Sequence, residues 1–365
     1  MAASFNTWGL AMEAIGLMPP QSSSTPAIDS GKSAECLQAG YFVRRMLELR
    51  LRPRDILTRQ AFENAATTIA AAGGSTNAVL HLIALAREAK VELTLRDLQS
   101  IFRRTPVYCN FAPRGRHTMV DLHRIGGTSV LLKHLIRVGL LDGNQVTMTG
   151  RTLAENVREA SSPPSGHTLI APMSSPFKPF ADMQICFGNL APDGMVFKVS
   201  SLTEPYFRGP AICFTGGKQV VDAVNERRIR PGNVVVIREL GPVACGMPEI
   251  VLATSALSIP DLVGTVAVVS DTRISGISHG AIGVHCSPEA VLGGPIALVE
   301  DNDEISFDLL KGEVSLHVSD DELAVRRSNW KRQSLRYARG YLADFAANVT
   351  QAPDGCVSLS TLDRE

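Results

Sequence analysis

The chain has 365 residues, about two domains at roughly 150 residues each and enough to bury a sizeable core. Thirty-six Lys and Arg balance 36 Asp and Glu, and 45% hydrophobic with 20% charged residues is an ordinary globular composition, which excludes bulk disorder and a polyanion binder, so no nucleic-acid partner is expected. The longest apolar stretches, Val234–Ile237 and Leu262–Val269, fall far short of the about 18 residues a membrane span needs.

The opening MAASFNTWGLAMEAIGL contains no Arg or Lys, which argues against a mitochondrial transit peptide, and no secretory signal is present. An intracellular protein, cytoplasmic rather than mitochondrial, is the expectation. Thr58 caps a helix through AFENAATTIAAA that Gly73-Gly74 stops. Ser75 caps a second, in which Val79, Leu82, Ile83 and Ala86 share a face. Thr94 with Asp97 opens a short helix through Phe102, SVLLKHLIRV forms a buried helix ending at Gly139, and Thr152 with Glu155 opens another over 152–159.

After the Pro- and Ser-rich stretch SSPPSG (161–166) the period changes. Short β-branched runs follow at TLIA (168), MVFKVS (195), VVVI (234), TVAVVS (265), IALV (296), EISFDL (304) and EVSLHV (313), separated by Gly, Pro and Asp turns. Helices are expected at KQVVDAVNERR, PEIVLATSAL and DDELAVRRSNWKR, with a last amphipathic one to about Asn348. The predicted organisation is α/β in two domains: a mostly helical domain over 1–162, and a β-barrel-like domain with flanking helices over 163–365.

Seven cysteines, an odd number with no CxxC pair, point to a reducing compartment and fit no local zinc or iron–sulfur spacing. Two segments carry polar groups out of strands. GNVVVIRELGPVACGMPEIVLATSAL reads as strand, Gly/Pro loop and helix, with Glu249 in the first helical turn, where the helix dipole favours a carboxylate. In TVAVVSDTRISGISHGAIG, glycines at 276, 280 and 283 flank Ser275, Ser278 and His279. Glycine at a strand end lets a substrate approach the backbone. Neither serine fits the G-x-S-x-G elbow of a hydrolase. Gly73-Gly74-Ser75-Thr76-Asn77 could cradle an anion at a helix start, but it lacks the Walker lysine and a preceding strand, and helix capping explains it equally well.

Taken together, GGSTNAVLHL, DLHRIGG, TGRTLAEN, GPVACGMPE, SDTRISGISHGAIG and SPEAVLGGPIALVEDNDEISFDL resemble, in order and over nearly the whole chain, the dihydroxy-acid and sugar-acid dehydratase family. The resemblance implies a hydro-lyase that converts a 2,3-dihydroxy carboxylic acid to a 2-oxo acid and water, in amino-acid or secondary-metabolite biosynthesis. It also implies a second domain like the swivelling domain of aconitase-type enzymes, a homodimer, and an iron–sulfur cluster with a magnesium ion as cofactors. By the same likeness Glu249 is a magnesium ligand, Ser275 is the base at carbon 2, and Ser278, His279, Ser75, Thr76 and Asn77 line the substrate cavity. The loop GPVACGMPE is one residue shorter than the dihydroxy-acid branch's usual GPKGGPGMPE and has the length typical of phosphogluconate dehydratases. NTWGLAMEAIGL resembles the helix that directly follows the family's third cluster cysteine. The three cluster cysteines, and the Asp and carbamylated-lysine magnesium ligands, are therefore expected to have no counterpart here. A truncated, non-catalytic member and a sugar-acid dehydratase are the alternatives.

Overall fold

The computed structural model describes residues 3–199, 205–276, 278, 280–333, 335 and 337–362. They fall into two units, one of Met1–Ala78, Leu85–Leu93 and Ser100–Asp182, the other of Val79–Ala84, Thr94–Gln99 and Met183–Glu365.

The first unit is helical. Its Arg59–Ala72 helix begins where the Thr58 hydroxyl accepts the Ala61 N–H and ends at Gly73, whose φ of +71° glycine adopts without strain. Ala61, Ala65, Ala66 and Ala70 are buried along it, and these small side chains admit the Ser4–Ile15 helix, which packs against it. The Thr128–Arg137 helix buries Val130, Leu131, Leu132 and Leu135 in the unit's apolar core. The Ser30–Glu48 helix buries none of its residues.

The second unit is built on eight strands: β1 Met183–Cys186, β2 Gly194–Lys198, β3 Tyr206–Phe214, β4 Val234–Ile237, β5 Ala267–Ser270, β6 Ala281–Ser287, β7 Glu304–Asp308 and β8 Glu313–Leu316. They lie in the order β1-β2-β6-β5-β4-β3-β7-β8. β3, β4, β5 and β6 run parallel, flanked by antiparallel β1–β2 and β7–β8. Phe187, just after β1, bridges to Glu313 of β8. Its N–H donates to the Gly312 carbonyl at 3.0 Å and its carbonyl accepts the Val314 N–H at 3.0 Å. The two sheet edges thus meet in a nearly closed barrel. Alternate residues Val234 and Val236, Ala267 and Val269 point into a core with Phe197 and Phe307, whose rings lie 4.5 Å apart. This is the α/β architecture with a helical first part and a barrel-like second part that the sequence predicts.

Several elements differ from expectation. TLIA makes only an isolated bridge from Ile170 to Cys109. IALV lies largely in a 3₁₀ turn, Pro295–Leu298, with proline at its first position. β1, β3 and β6 are additional strands. β3 contains Gly209-Pro210 and changes partner there: Tyr206–Pro210 pairs with β7, and the parallel ladder to β4 starts at Ala211. Glu249 does not lie in a helical turn, since that helix starts at Val251.

Candidate active site

Three neighbouring parallel strands end at one edge of the barrel, and ligands of parallel sheets gather at such carboxyl ends. β3 runs into Thr215–Lys218, β4 into Arg238–Gly241 and β5 into Asp271–Ser275. Two buried carboxylates hold these loops. Asp271 accepts the N–H groups of Glu239 (3.1 Å), Leu240 (3.1 Å) and Ala290 (3.0 Å). Glu289 accepts those of Val243 and Ala244, both at 2.9 Å, and the Gln351 amide at 2.5 Å. Burial pushes Asp271 up to about 7 against the pull of its N–H donors, and it raises Glu289 as well. The loop backbone is strained where it turns, with φ of +65° at Glu239 and +55° at Met247.

Glu249 and the Ser275 segment are brought side by side. Glu249 forms a parallel bridge with Arg273. Ile250 N–H donates to the Arg273 carbonyl at 3.2 Å, Thr272 Oγ1 to the Pro248 carbonyl at 2.5 Å, and Arg273 Nε to the Met247 carbonyl at 2.7 Å. Ser275 follows two residues on and is partly exposed. Nζ of Lys198, a β2 residue only 1% exposed, donates to the carbonyl of Gly276, the residue after Ser275. Ser278 is buried; its N–H donates to the Ser275 carbonyl at 3.1 Å and its hydroxyl to Thr254 Oγ1 at 3.4 Å. His279 lies outside the described residues. A cavity of about 560 Å³ opens at this edge, with Glu249, Pro248 and Glu239 on one side and Gly216, Gly217 and Lys218 among its other lining residues.

Ser75, Thr76 and Asn77 belong to the first unit, Glu249, Ser275 and Ser278 to the second. Thr76, not Ser75, is the residue before the Asn77–Glu88 helix, and it makes no side-chain cap. The Ser75 hydroxyl pairs with Ser4 Oγ at 3.0 Å, and its N–H donates to Thr7 Oγ1 at 3.1 Å. The Thr76 hydroxyl is buried without a hydrogen bond.

The cysteines do not assemble a cluster site. Among the described residues no group of three His, Cys, Asp or Glu side chains is placed to hold a metal ion. Burial pushes the thiols of Cys109, Cys213 and Cys356 up to about 12. Glu249 offers one carboxylate toward a cation, which does not make a ligand set. The described residues therefore fit neither group by themselves. Sequence reasoning missed Lys198, Arg273, Asp271 and Glu289, whose one visible signal is a charge set within or just after an apolar run.

Residues 2–156 match the model of the dihydroxy-acid/6-phosphogluconate dehydratase N-terminal domain, and residues 168–356 that of the C-terminal domain. The chain is similar to a dihydroxy-acid dehydratase of Francisella tularensis subsp. novicida, with 43% identity over 97% of this chain and 63% of the relative. It is similar also to one of Lactococcus lactis subsp. lactis, 43% identical over 97% of this chain and 62% of the relative. A mitochondrial dihydroxy-acid dehydratase of Saccharomyces cerevisiae is 44% identical over 96% of this chain and 61% of its own length. The chain thus spans less than two thirds of these relatives. The match of a single family model to more than half of its residues shows that the chain belongs to the dihydroxy-acid/6-phosphogluconate dehydratase family.

Proposed function

We propose that the chain serves a hydro-lyase reaction in which a 2,3-dihydroxy carboxylic acid becomes a 2-oxo acid and water. The observation that carries this reading is the bridge pairing Glu249 with the segment that delivers Ser275. In the reaction Ser275 takes the proton from carbon 2, that electron pair forms the carbon 2–carbon 3 double bond, and the bond from carbon 3 to its hydroxyl breaks. The hydroxyl leaves with a proton as water, and the enol tautomerises to the 2-oxo acid. A serine hydroxyl is a weak base unless a cation favours its alkoxide. We assign that part to Lys198, whose Nζ donates to the Gly276 carbonyl. Glu249 lines the cavity as a carboxylate donor, and Ser75, Thr76, Asn77, Ser278 and His279 are assigned to the substrate by family likeness. Hydroxide departs poorly without an electrophile to receive it. No ligand set for the family's magnesium or iron–sulfur cluster assembles among the described residues.

The alternative reading is a non-catalytic member that binds a small acid or pairs with an intact relative. In either case the family's homodimer is our proposal for its assembly.

Anaerobic treatment of the purified chain with iron, sulfide and magnesium, followed by assay of 2,3-dihydroxyisovalerate and 6-phosphogluconate in parallel, tests both. The hydro-lyase reading expects cluster absorbance and 2-oxo acid formation, with Ser275→Ala lowering kcat by about 100-fold or more and Glu249→Gln lowering turnover. A colourless protein without turnover overturns it in favour of the second.

A further inference from the structure

His285 is 2% exposed, and among the described residues neither ring nitrogen has a hydrogen-bond partner. Buried polar groups are almost always satisfied, so such a group points to something that completes it. The backbone singles out the same residue. β2 and β6 slip register between the Gly194↔Ser287 and Val196↔Val284 pairs, so β6 carries one extra residue, and His285 there holds φ at +59°. Bulges of this kind re-aim a side chain and recur beside functional sites. The His285 N–H donates to the Thr272 carbonyl at 2.9 Å, which fixes the residue against the segment leading to Arg273 and Ser275.

Arg273 is the second member. It is half-buried, and among the described residues its guanidinium makes one hydrogen bond, Nε to the Met247 carbonyl, and no ion pair. A guanidinium carries five N–H donors in a planar fork suited to a carboxylate. Its charge reaches two imidazoles, those of His285 and His81, and lowers the basicity of both after burial has done so. Exposure falls from His81 at the surface through Arg273 to His285. The apolar residues Leu80, Met247 and Ala352 cluster beside these groups in sequence and space.

We propose that Arg273, His81 and His285 form an anion site that takes the carboxylate of a small organic acid. A carboxylate supplies two acceptor oxygens, one set for the free guanidinium nitrogens and one for an imidazole N–H, and it neutralises the only charge in the group. Leu80 and Met247 suit an alkyl substituent on that acid. The choice of acid rests on the hydro-lyase reading; the site itself does not.

The test uses the full chain labelled with 15N-histidine and follows the imidazole resonances as isovalerate, and separately 2,3-dihydroxyisovalerate, is added. Both acids are expected to shift the His285 nitrogens saturably, the signals being assigned by their loss in His285→Asn, a residue that tolerates the left-handed backbone. Arg273→Gln is expected to weaken binding roughly tenfold or more. No saturable His285 shift with either acid in the unmodified chain overturns the site, and so does unchanged affinity in a folded Arg273→Gln. Isovalerate has no hydroxyl to lose, so binding without turnover leaves the anion site standing while the hydro-lyase reading falls. Turnover without a His285 shift removes only the site.

Discussion

Two buried groups titrate in opposite senses and so can be separated by experiment. Glu13 accepts the Gln21 N–H at 3.0 Å and the Ser23 N–H at 2.6 Å, but burial outweighs these bonds and raises it to about 7. A carboxyl raised on folding is harmless below its unfolded value, about 4.3, and costs stability as pH climbs from there to about 7. Glu13→Gln is therefore expected to gain on the unmodified chain as pH goes from 5 to 8, by on the order of 1–4 kcal/mol. His285 has the reverse sign, because burial lowers it to about 3. Its neutral form in the folded chain costs stability as pH falls below about 6.5, where the unfolded histidine takes up a proton. His285→Asn should gain on the unmodified chain as pH falls from 7 to 4. Urea midpoints across this range check both, and parallel curves for either pair would contradict the assigned burial. Neither residue stands out in the sequence, because burial of a charge is a tertiary property.

At the scale of elements, what could be read in advance was what is local. The Thr94/Asp97 and Thr152/Glu155 capping pairs both form, since each needs only residues three apart. The Ser75 hydroxyl accepts the N–H of Asn77, the first residue of the next helix, at 3.4 Å and also pairs with Ser4, 71 positions away, a contact that no local pattern shows. The strand β3 is missing from the sequence expectations because nothing local tells that a strand through Gly209-Pro210 changes partner there. The strand-to-loop pattern marks Glu249 and Ser275 as candidates, but their roles come from family likeness, because their adjacency depends on a bridge between segments some 24 residues apart. Barrel closure is equally non-local, and it turns on one glycine. A Cβ on Gly188 would sit 1.8 Å from the Val314 carbonyl oxygen, so the β1 and β8 edges can meet only if this residue has no side chain. Gly188→Ala should cost on the order of 2–4 kcal/mol by forcing that seam apart, read as a lower urea midpoint. An unchanged midpoint would mean that the seam contributes nothing to the barrel.

For the molecule as a whole, the informative surface is the Ser30–Glu48 helix. Leu37 is 86% exposed, Leu47 74% and Tyr41 65%, and Val43 is exposed as well. At helical spacing these four fall on one wide stripe, while Glu35 on the opposite side pairs with Lys32 at 2.6 Å. A charge-balanced protein with zero formal net charge has no electrostatic repulsion to keep such stripes apart. Contiguous apolar patches on a soluble surface mark a contact, and this one supports the homodimer proposed above. The chain is accordingly expected to self-associate at micromolar concentration and to bind a hydrophobic dye, by light scattering and fluorescence. Replacing Leu37 and Leu47 together by Glu should shift the population toward monomer and reduce dye binding. The unfolding midpoint should fall only as far as the lost association lowers it, because exposed substitutions of this kind by themselves stay within about 0.5 kcal/mol. A monomeric, dye-free unmodified chain would show that the stripe is no contact surface. Association that survives both substitutions would place the contact elsewhere on the molecule.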